Sequence, residues 1–367
     1  VVYMRFQRTA HALRELAVVT LVVSSSCKPH RRPVPEFDPA KAKAEDEYLK
    51  RNPFGLKGVT FTRGEELAAH EMEREHNGKG NRIRMAMVGN SLTYFNNLPE
   101  VLESFADADL GGPSELAVAT CVRKDASLSS IAKDGCGQQV SRGVAGNPWR
   151  DLETMLSPAH FAGWAGLGWD VVVLQDYSLN AVRPTTRVTT QLALRQKYAP
   201  LLLQTGRGAV PVKTVIFQTW GYLRAVASTR ELMGQVGRRH FESMSPLVIE
   251  GTDAYRQTLE QSGVPTEVAP IGEAFHLVAM ERRHLFASLY SHDAVHPGIA
   301  GTYLIAATLY ATITGRDPRP LKVQSCGNTQ SSCHNELSDA DLSYLRDVAA
   351  RATTQALGRP LHFTLDP

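Results

Sequence analysis

The sequence predicts a three-layer α/β/α sandwich on a mainly parallel sheet of about five strands, and three observations carry that reading. Strongly apolar runs of strand length recur between residues 82 and 270. Stretches with helical spacing separate them, which makes neighbouring strands parallel and places helices on both faces of the sheet. Polar, chemistry-bearing residues follow directly on the apolar runs, where such sheets present their binding rim.

The first run, Arg82-Ile83-Arg84-Met85-Ala86-Met87-Val88, alternates, turns continuously apolar and ends in Gly89-Asn90-Ser91. A buried strand that closes in a tight turn carries its last polar side chain onto the rim, so Ser91 is placed at the carboxyl end of the first strand. Asn97-Leu98-Pro99-Glu100 then opens an amphipathic segment in which Leu98, Val101, Leu102 and Phe105 recur at helical spacing, the first crossover helix. Residues 116–120 form a second strand. Residues 169–175, with four consecutive aliphatics, form the clearest buried one. Residues 184 to about 203 read as a helix with Pro184 at its first position, residues 214–218 as the fourth strand, and 238–261 as helical. Residues 265–270 make the fifth strand. A helix of small and aliphatic residues over 300–314 ends at Gly315, and a last amphipathic helix over 338–355 is capped by Ser338. No internal repeat or long low-complexity segment interrupts residues 81–367, which are read as one domain.

A chain of 367 residues, 43% hydrophobic, has ample material for a large core. Its formal charge of +3 is a near balance of 40 basic and 37 acidic residues, so nothing asks for a nucleic-acid partner. No apolar stretch reaches the length of an ordinary membrane-spanning helix. Residues 1–27 differ from the rest: a basic segment from Met4 through Arg14, an apolar one over 16–23, then Ser24-Ser25-Ser26-Cys27. That three-part build is expected of a secretory signal, with Met4 as a candidate start. The small residues before Cys27 resemble a bacterial lipoprotein cleavage box, although Ser24 stands where a larger aliphatic residue is usual. Export alone and export with a lipid on Cys27, the one route to membrane contact, both stay open. The expected address is periplasmic, cell-surface or secreted.

Residues 28–80 are polar and broken, with Pro29, Pro33, Pro35 and Pro39 close together and a charged run over 41–51; they read as a tether followed by a solvated helix. His70-Glu71 with His76 fails as a zinc-protease helix, because the second histidine would have to stand where Arg74 is. Setting Cys27 apart from the five cysteines leaves Cys121, Cys136, Cys326 and Cys333. An even count in an exported chain suggests the local pairs Cys121–Cys136 and Cys326–Cys333, each worth roughly 2–3 kcal/mol. Without a C-x-x-C, a structural zinc site is not expected.

Polar groups land on the rim after four strands: Ser91 after the first, Asp125 and Ser127 after the second, Gln175 after the third, and the Asp293/His296 loop after the fifth. Hydroxyl, imidazole and carboxylate are the ingredients of nucleophilic acyl transfer. Serine is a poor nucleophile at neutral pH, so a base must take its proton and a carboxylate must hold that base in one tautomer. Asp293 and His296 are three apart, within reach of each other from one turn, and Pro297-Gly298 releases the chain into the next helix. His292, Asp293 and His296 could instead be metal ligands at a helix start, although no second cluster completes such a site. Trp220 and Tyr222 read as wall or core, Glu273 as a structural or rim group, and Arg183 as part of a loop entering a helix. Phosphate-binding G-x-x-x-x-G-K and dinucleotide G-x-G-x-x-G patterns are absent.

In this order and at these places the pieces resemble the SGNH (GDSL-type) hydrolase family, over about residues 82–318. Val88-Gly89-Asn90-Ser91-Leu92-Thr93 matches its first block, with Asn90 in place of the usual aspartate, and Asp293-Ala294-Val295-His296-Pro297 matches its last. Residues 171–178, Gln218-Thr219-Trp220-Gly221, residues 269–275 and Gly301-Thr302-Tyr303-Leu304 are similar to a largely uncharacterised bacterial branch. The resemblance implies a flavodoxin-like fold, Ser91 as nucleophile, His296 as general base and then acid, and Asp293 as the orienting carboxylate. It also implies an oxyanion hole from the nucleophile's N–H, a second-block glycine N–H and a third-block asparagine. Here no glycine occurs in Arg123-Lys124-Asp125-Ala126-Ser127, so the backbone N–H of Asp125 or Ala126 is the candidate donor. Gln175 replaces the asparagine, with Asn180 as another candidate.

The expected activity is that of an exported esterase working through an acyl-enzyme, with no metal or organic cofactor. Its substrate would be a small-molecule or carbohydrate ester. Two other readings are a metal-dependent hydrolase using His292, Asp293 and His296, and a sugar-binding protein on a hydrolase scaffold that has lost turnover.

Overall fold

Alternation along the first strand divides the interior into two cores. Met85 and Met87 point to one face and Ala86 and Val88 to the other, and each set joins its own cluster of buried side chains. In the computed structural model, the described residues are 82–137, 151–156, 168–206, 211–224, 237–323 and 337–362. The expected export segment, the tether and helix of 28–80, and Cys326 and Cys333 lie outside them.

Five strands, β1 (Arg82–Gly89), β2 (Glu115–Val122), β3 (Val171–Leu174), β4 (Lys213–Phe217) and β5 (Thr266–Ala269), pair in the order β2-β1-β3-β4-β5. Every pairing is parallel, with Val88 opposite Cys121 on one side and Leu174 on the other. The chain winds one way from β1 to β2 and the other way from β3 onward. The carboxyl ends of β1 and β3 therefore flank the crevice where sheets of this kind take their ligands.

The helices are α1 (Ser91–Tyr94), α2 (Leu98–Ala108), α3 (Leu128–Asp134), α4 (Leu152–Leu156), α5 (Ser178–Val182), α6 (Pro184–Ala193), α7 (Ala199–Thr205), α8 (Arg238–Gln261), α9 (Ile271–Glu281), α10 (Arg283–Phe286), α11 (Ile299–Thr314) and α12 (Asp339–Leu357). Helices α2, α9, α11 and α12 cover the Met85/Met87 face, and α3, α4, α6 and α7 the opposite one. The long α8 serves both, placing Phe241, Met244 and Val248 in the first core and Tyr255 and Leu259 in the second. Helix α11 is buried along almost its whole length, between α2 and α12. Its apolar, small-residue sequence suits a helix wrapped on all sides. It stops where Gly315 turns left-handed and its N–H returns to the Ala311 carbonyl.

The predicted three-layer α/β/α architecture is present. Three details differ from expectation. The helix expected over 184–203 is two helices joined by a π-helical turn, Leu194–Tyr198. Helices α1, α3, α4, α5, α9 and α10 were not anticipated. The loop bearing Asp293 and His296 follows α9 and α10 rather than the fifth strand directly. Cys121 at the end of β2 is bonded to Cys136 just beyond α3, closing the turn and helix between them into one covalent loop. Among the described residues no helix is long and apolar enough to cross a membrane.

Candidate active site

The turn after β1 is made by three residues with different tasks. Gly89 leaves no room for a side chain, since a Cβ there would lie 2.5 Å from Gln175 Oε1 and 2.8 Å from Thr93 Oγ1. Asn90 is buried and uses its whole amide. Its Oδ1 accepts from Leu92 N at 3.1 Å and its Nδ2 donates to the Ala126 carbonyl at 2.8 Å. A carboxylate could cap the helix in the same way but could not donate to Ala126, which accounts for asparagine here. Ser91 follows at the first position of α1, partly exposed on the rim.

The imidazole reaches Ser91 from the other side of the crevice. Ser91 Oγ lies 2.8 Å from His296 Nε2, and Nδ1 of the same ring is hydrogen-bonded to Asp293 Oδ2. The loop is shaped around that carboxylate, whose Oδ1 accepts from Ser291 Oγ, Val295 N and His296 N, each at 2.8 Å. Burial alone would push the Asp293 carboxyl up. The His296 hydrogen bond, the His296 charge and the two backbone N–H groups outweigh it and hold the carboxyl well below the usual range. Ala294 completes the turn in a left-handed conformation (φ 63°) that costs a residue with a Cβ. Around it, Leu223 N donates to the Ala294 carbonyl at 3.0 Å and Trp220 Nε1 to the Val295 carbonyl at 3.0 Å. The Trp220 ring stacks on Phe275, 4.6 Å between centroids. Trp220 is thus the expected wall residue with a further task, that of propping the loop from behind.

Of the residues expected on the rim after β2 and β3, Asp125 alone is exposed. It adopts a left-handed conformation (φ 55°), the backbone state a glycine would supply, which aspartate tolerates better than most residues. Ser127 instead caps α3, in a reciprocal capping box with Ser130. Gln175, expected as an oxyanion donor, is turned away from that role. It is fully buried, its Oε1 accepts from Asn90 N at 2.8 Å and its Nε2 donates to the Asp176 carbonyl. Both ends of its amide hold backbone together. Asn180 lies half-buried in α5. Glu273 pairs with Gln218 Nε2 through Oε1 at 3.1 Å, and burial pushes its carboxyl up to about 7.

Sequence reasoning missed three contributors. Phe95 stacks on the His296 ring, 4.6 Å between centroids at 19°. Asn96 Nδ2 donates to the Pro297 carbonyl and to Thr302 Oγ1, each at 2.9 Å. Asp176, just past β3, ties three helices to the rim through Leu128 N at 2.8 Å, Thr190 Oγ1 at 2.8 Å and Tyr255 Oη at 2.7 Å. The paired asparagines Asn96-Asn97 were the available signal, since adjacent asparagines ahead of a helix favour a left-handed turn.

His292 is exposed, and Asp293 and His296 face each other rather than a common point with it. Among the described residues no group of three or more histidine, cysteine or acidic side chains could hold a metal ion.

A crystal structure of a DUF4886 family protein from Bacteroides uniformis is similar to this chain, with a TM-score of 0.54 and 14% sequence identity, over 74% of this chain and 95% of that one. The two share a fold. A lipase from a goat rumen metagenome (TM-score 0.39, 12% identity, 62% of this chain and 96% of that one) is a fainter likeness. So is a carbohydrate acetylesterase family member from Sinorhizobium meliloti (TM-score 0.36, 13% identity, 63% and 97%). No family model matches the sequence, and no curated protein does.

Proposed function

We propose that this protein is a serine hydrolase of the SGNH (GDSL) type that cleaves carboxylic esters through an acyl-enzyme. The observation that carries the reading is the line from Ser91 Oγ to His296 Nε2, with Nδ1 of that ring held by Asp293. In the proposed reaction the Ser91 oxygen attacks the ester carbonyl while Nε2 takes the hydroxyl proton. Asp293 stabilises the imidazolium and fixes its tautomer. The tetrahedral intermediate collapses as Nε2 returns the proton to the departing alcohol, leaving an acyl group on Ser91. Water, deprotonated by the same nitrogen, then attacks the acyl carbon. The second collapse releases the carboxylic acid and restores the serine.

The Ser91 N–H and the N–H of Asp125 are the proposed donors to the oxyanion, Gln175 being committed elsewhere. A single such donor is worth roughly 3–4 kcal/mol of barrier. Export is part of the proposal. Its support is the basic, apolar and small-residue order of residues 4–27 together with the Cys121–Cys136 bond, since such bonds persist in oxidising compartments. A carbohydrate-borne acyl group as substrate rests on the family resemblance and that address.

Fluorophosphonate labelling followed by peptide mapping tests the reading. The modified residue should be Ser91, and Ser91→Ala should keep its fold while losing about 10⁴–10⁶ of kcat on a short-chain ester. Label on another residue, or wild-type turnover by Ser91→Ala, would refute it.

A further inference from the structure

We infer that Phe95 and Asn96 form a clamp that positions His296 against Ser91, a conclusion that rests on the hydrolase reading above. The chain leaves α1 through two successive left-handed residues, Asn96 (φ 52°) and Asn97 (φ 55°). Two such residues in a row are costly for anything but glycine, and asparagine pays least. That conformation turns Phe95 and Asn96 across the crevice, both toward the histidine loop.

The Phe95 ring lies flat on the imidazole, and the Asn96 amide spends both its protons on the two residues that bracket the exit from that loop. Thr302 Oγ1, one of its acceptors, passes its own proton to the Gly298 carbonyl at 3.0 Å, so the donors and acceptors run in one direction. The far side of the loop is packed equally closely. A Cβ on Gly298 would lie 2.6 Å from the Ser288 carbonyl, and one on Gly301 2.1 Å from that of Leu289. The loop is caught between this backbone and the Asn96 amide.

Clamp and nucleophile share one short piece of chain. Phe95 N donates to the Ser91 carbonyl, closing α1. Any movement of α1 therefore carries Ser91, Phe95 and Asn96 together, and the imidazole travels with them. Asp293 fixes one edge of the ring and Phe95 one face, which leaves Nε2 a single direction to point. The aromatic face also meets the positive charge the ring acquires when it takes the serine proton. These effects act on the chemical step and not on substrate capture, so Phe95 and Asn96 are positioning residues.

The test uses Asn96→Gly and Asn96→Asp. Both replacements accept the left-handed backbone, and neither can donate to Pro297 and Thr302. A role confined to the turn would be satisfied by both. The clamp predicts a folded protein with a modestly lowered Tm, kcat lowered about 10–100-fold, KM within about twofold, and a parallel fall in the fluorophosphonate labelling rate. Phe95→Leu, which keeps the burial and removes the ring, should lower kcat by a smaller factor with the same indifference of KM. Turnover within about twofold of wild type in both Asn96 variants, or a change confined to KM, would overturn the clamp while labelling of wild-type Ser91 leaves the hydrolase reading standing. A wild-type protein inert to the probe would overturn both.

Discussion

The nucleophile turn and the histidine loop meet at the Ser91–His296 hydrogen bond yet are held in different ways. The turn is fixed by packing: it hangs from a fully paired central strand, and its glycine is pressed against Gln175 and Thr93. The loop has no strand under it. It is wound around one carboxylate that accepts four hydrogen bonds, and carries a left-handed alanine as the cost. Beyond the packing that both halves share, the turn thus leans on its strand and neutral amides, and the loop on a hub of charge.

That difference predicts which half fails by losing activity and which by losing stability. The largest effect should come from Asp293→Asn. Its Oδ1 can still accept from Ser291, Val295 and His296, so the loop should hold. Its amide nitrogen would face His296 Nδ1 and force the wrong tautomer, and kcat should fall about 10³–10⁴-fold at nearly unchanged Tm. A large drop in Tm would mean that the loop depends on the negative charge itself. Gly89→Ala should do the reverse. Its new Cβ must displace Gln175 and Thr93, at a cost of about 1–3 kcal/mol in a urea titration. An unmoved midpoint would break the contrast.

The smallest effect concerns Glu273, a rim carboxylate with one amide partner where Asp293 has four donors. Its folded-state pKa of about 7 lies above the ordinary value of 4.5, so the folded protein prefers the protonated form. The stability this lends is present at low pH and is lost as pH rises through that window. Glu273→Gln, which stays neutral, should match wild type in thermal melts near pH 4 and exceed it near pH 8. An equal Tm at both would show that the carboxylate is better solvated than its surroundings suggest.

Much of this was legible in the chain. The inner strands announced themselves as largely apolar runs, because a strand buried on both faces leaves little room for polar positions, whereas β5 at the sheet edge reads Thr-Glu-Val-Ala and is only partly buried. Ser91, Asp293 and His296 could be named because a tight turn and a Pro-Gly exit, weak marks singly, together resemble the first and last blocks of a known family. What escaped depends on contacts distant in sequence. Helix α9 was hidden by Gly272, which reads as a breaker but is small because a Cβ would meet the Thr219 carbonyl at 2.6 Å. Gln175 stands where a rim donor should be, and nothing local says that its amide folds back to brace Asn90 and Asp176. Phe95 and Asn96 look like the run-in to a helix until residues some two hundred positions away are laid against them.

The sulfur bridge from Cys121 to Cys136 staples shut the segment that includes Asp125, one of the two proposed sources of an oxyanion N–H. Reduction would leave the sheet and its Ser91–His296 contact untouched and free only that neighbouring segment. A reductant should therefore blunt turnover well before it melts the molecule, making catalysis here the more sensitive gauge of the surrounding redox climate.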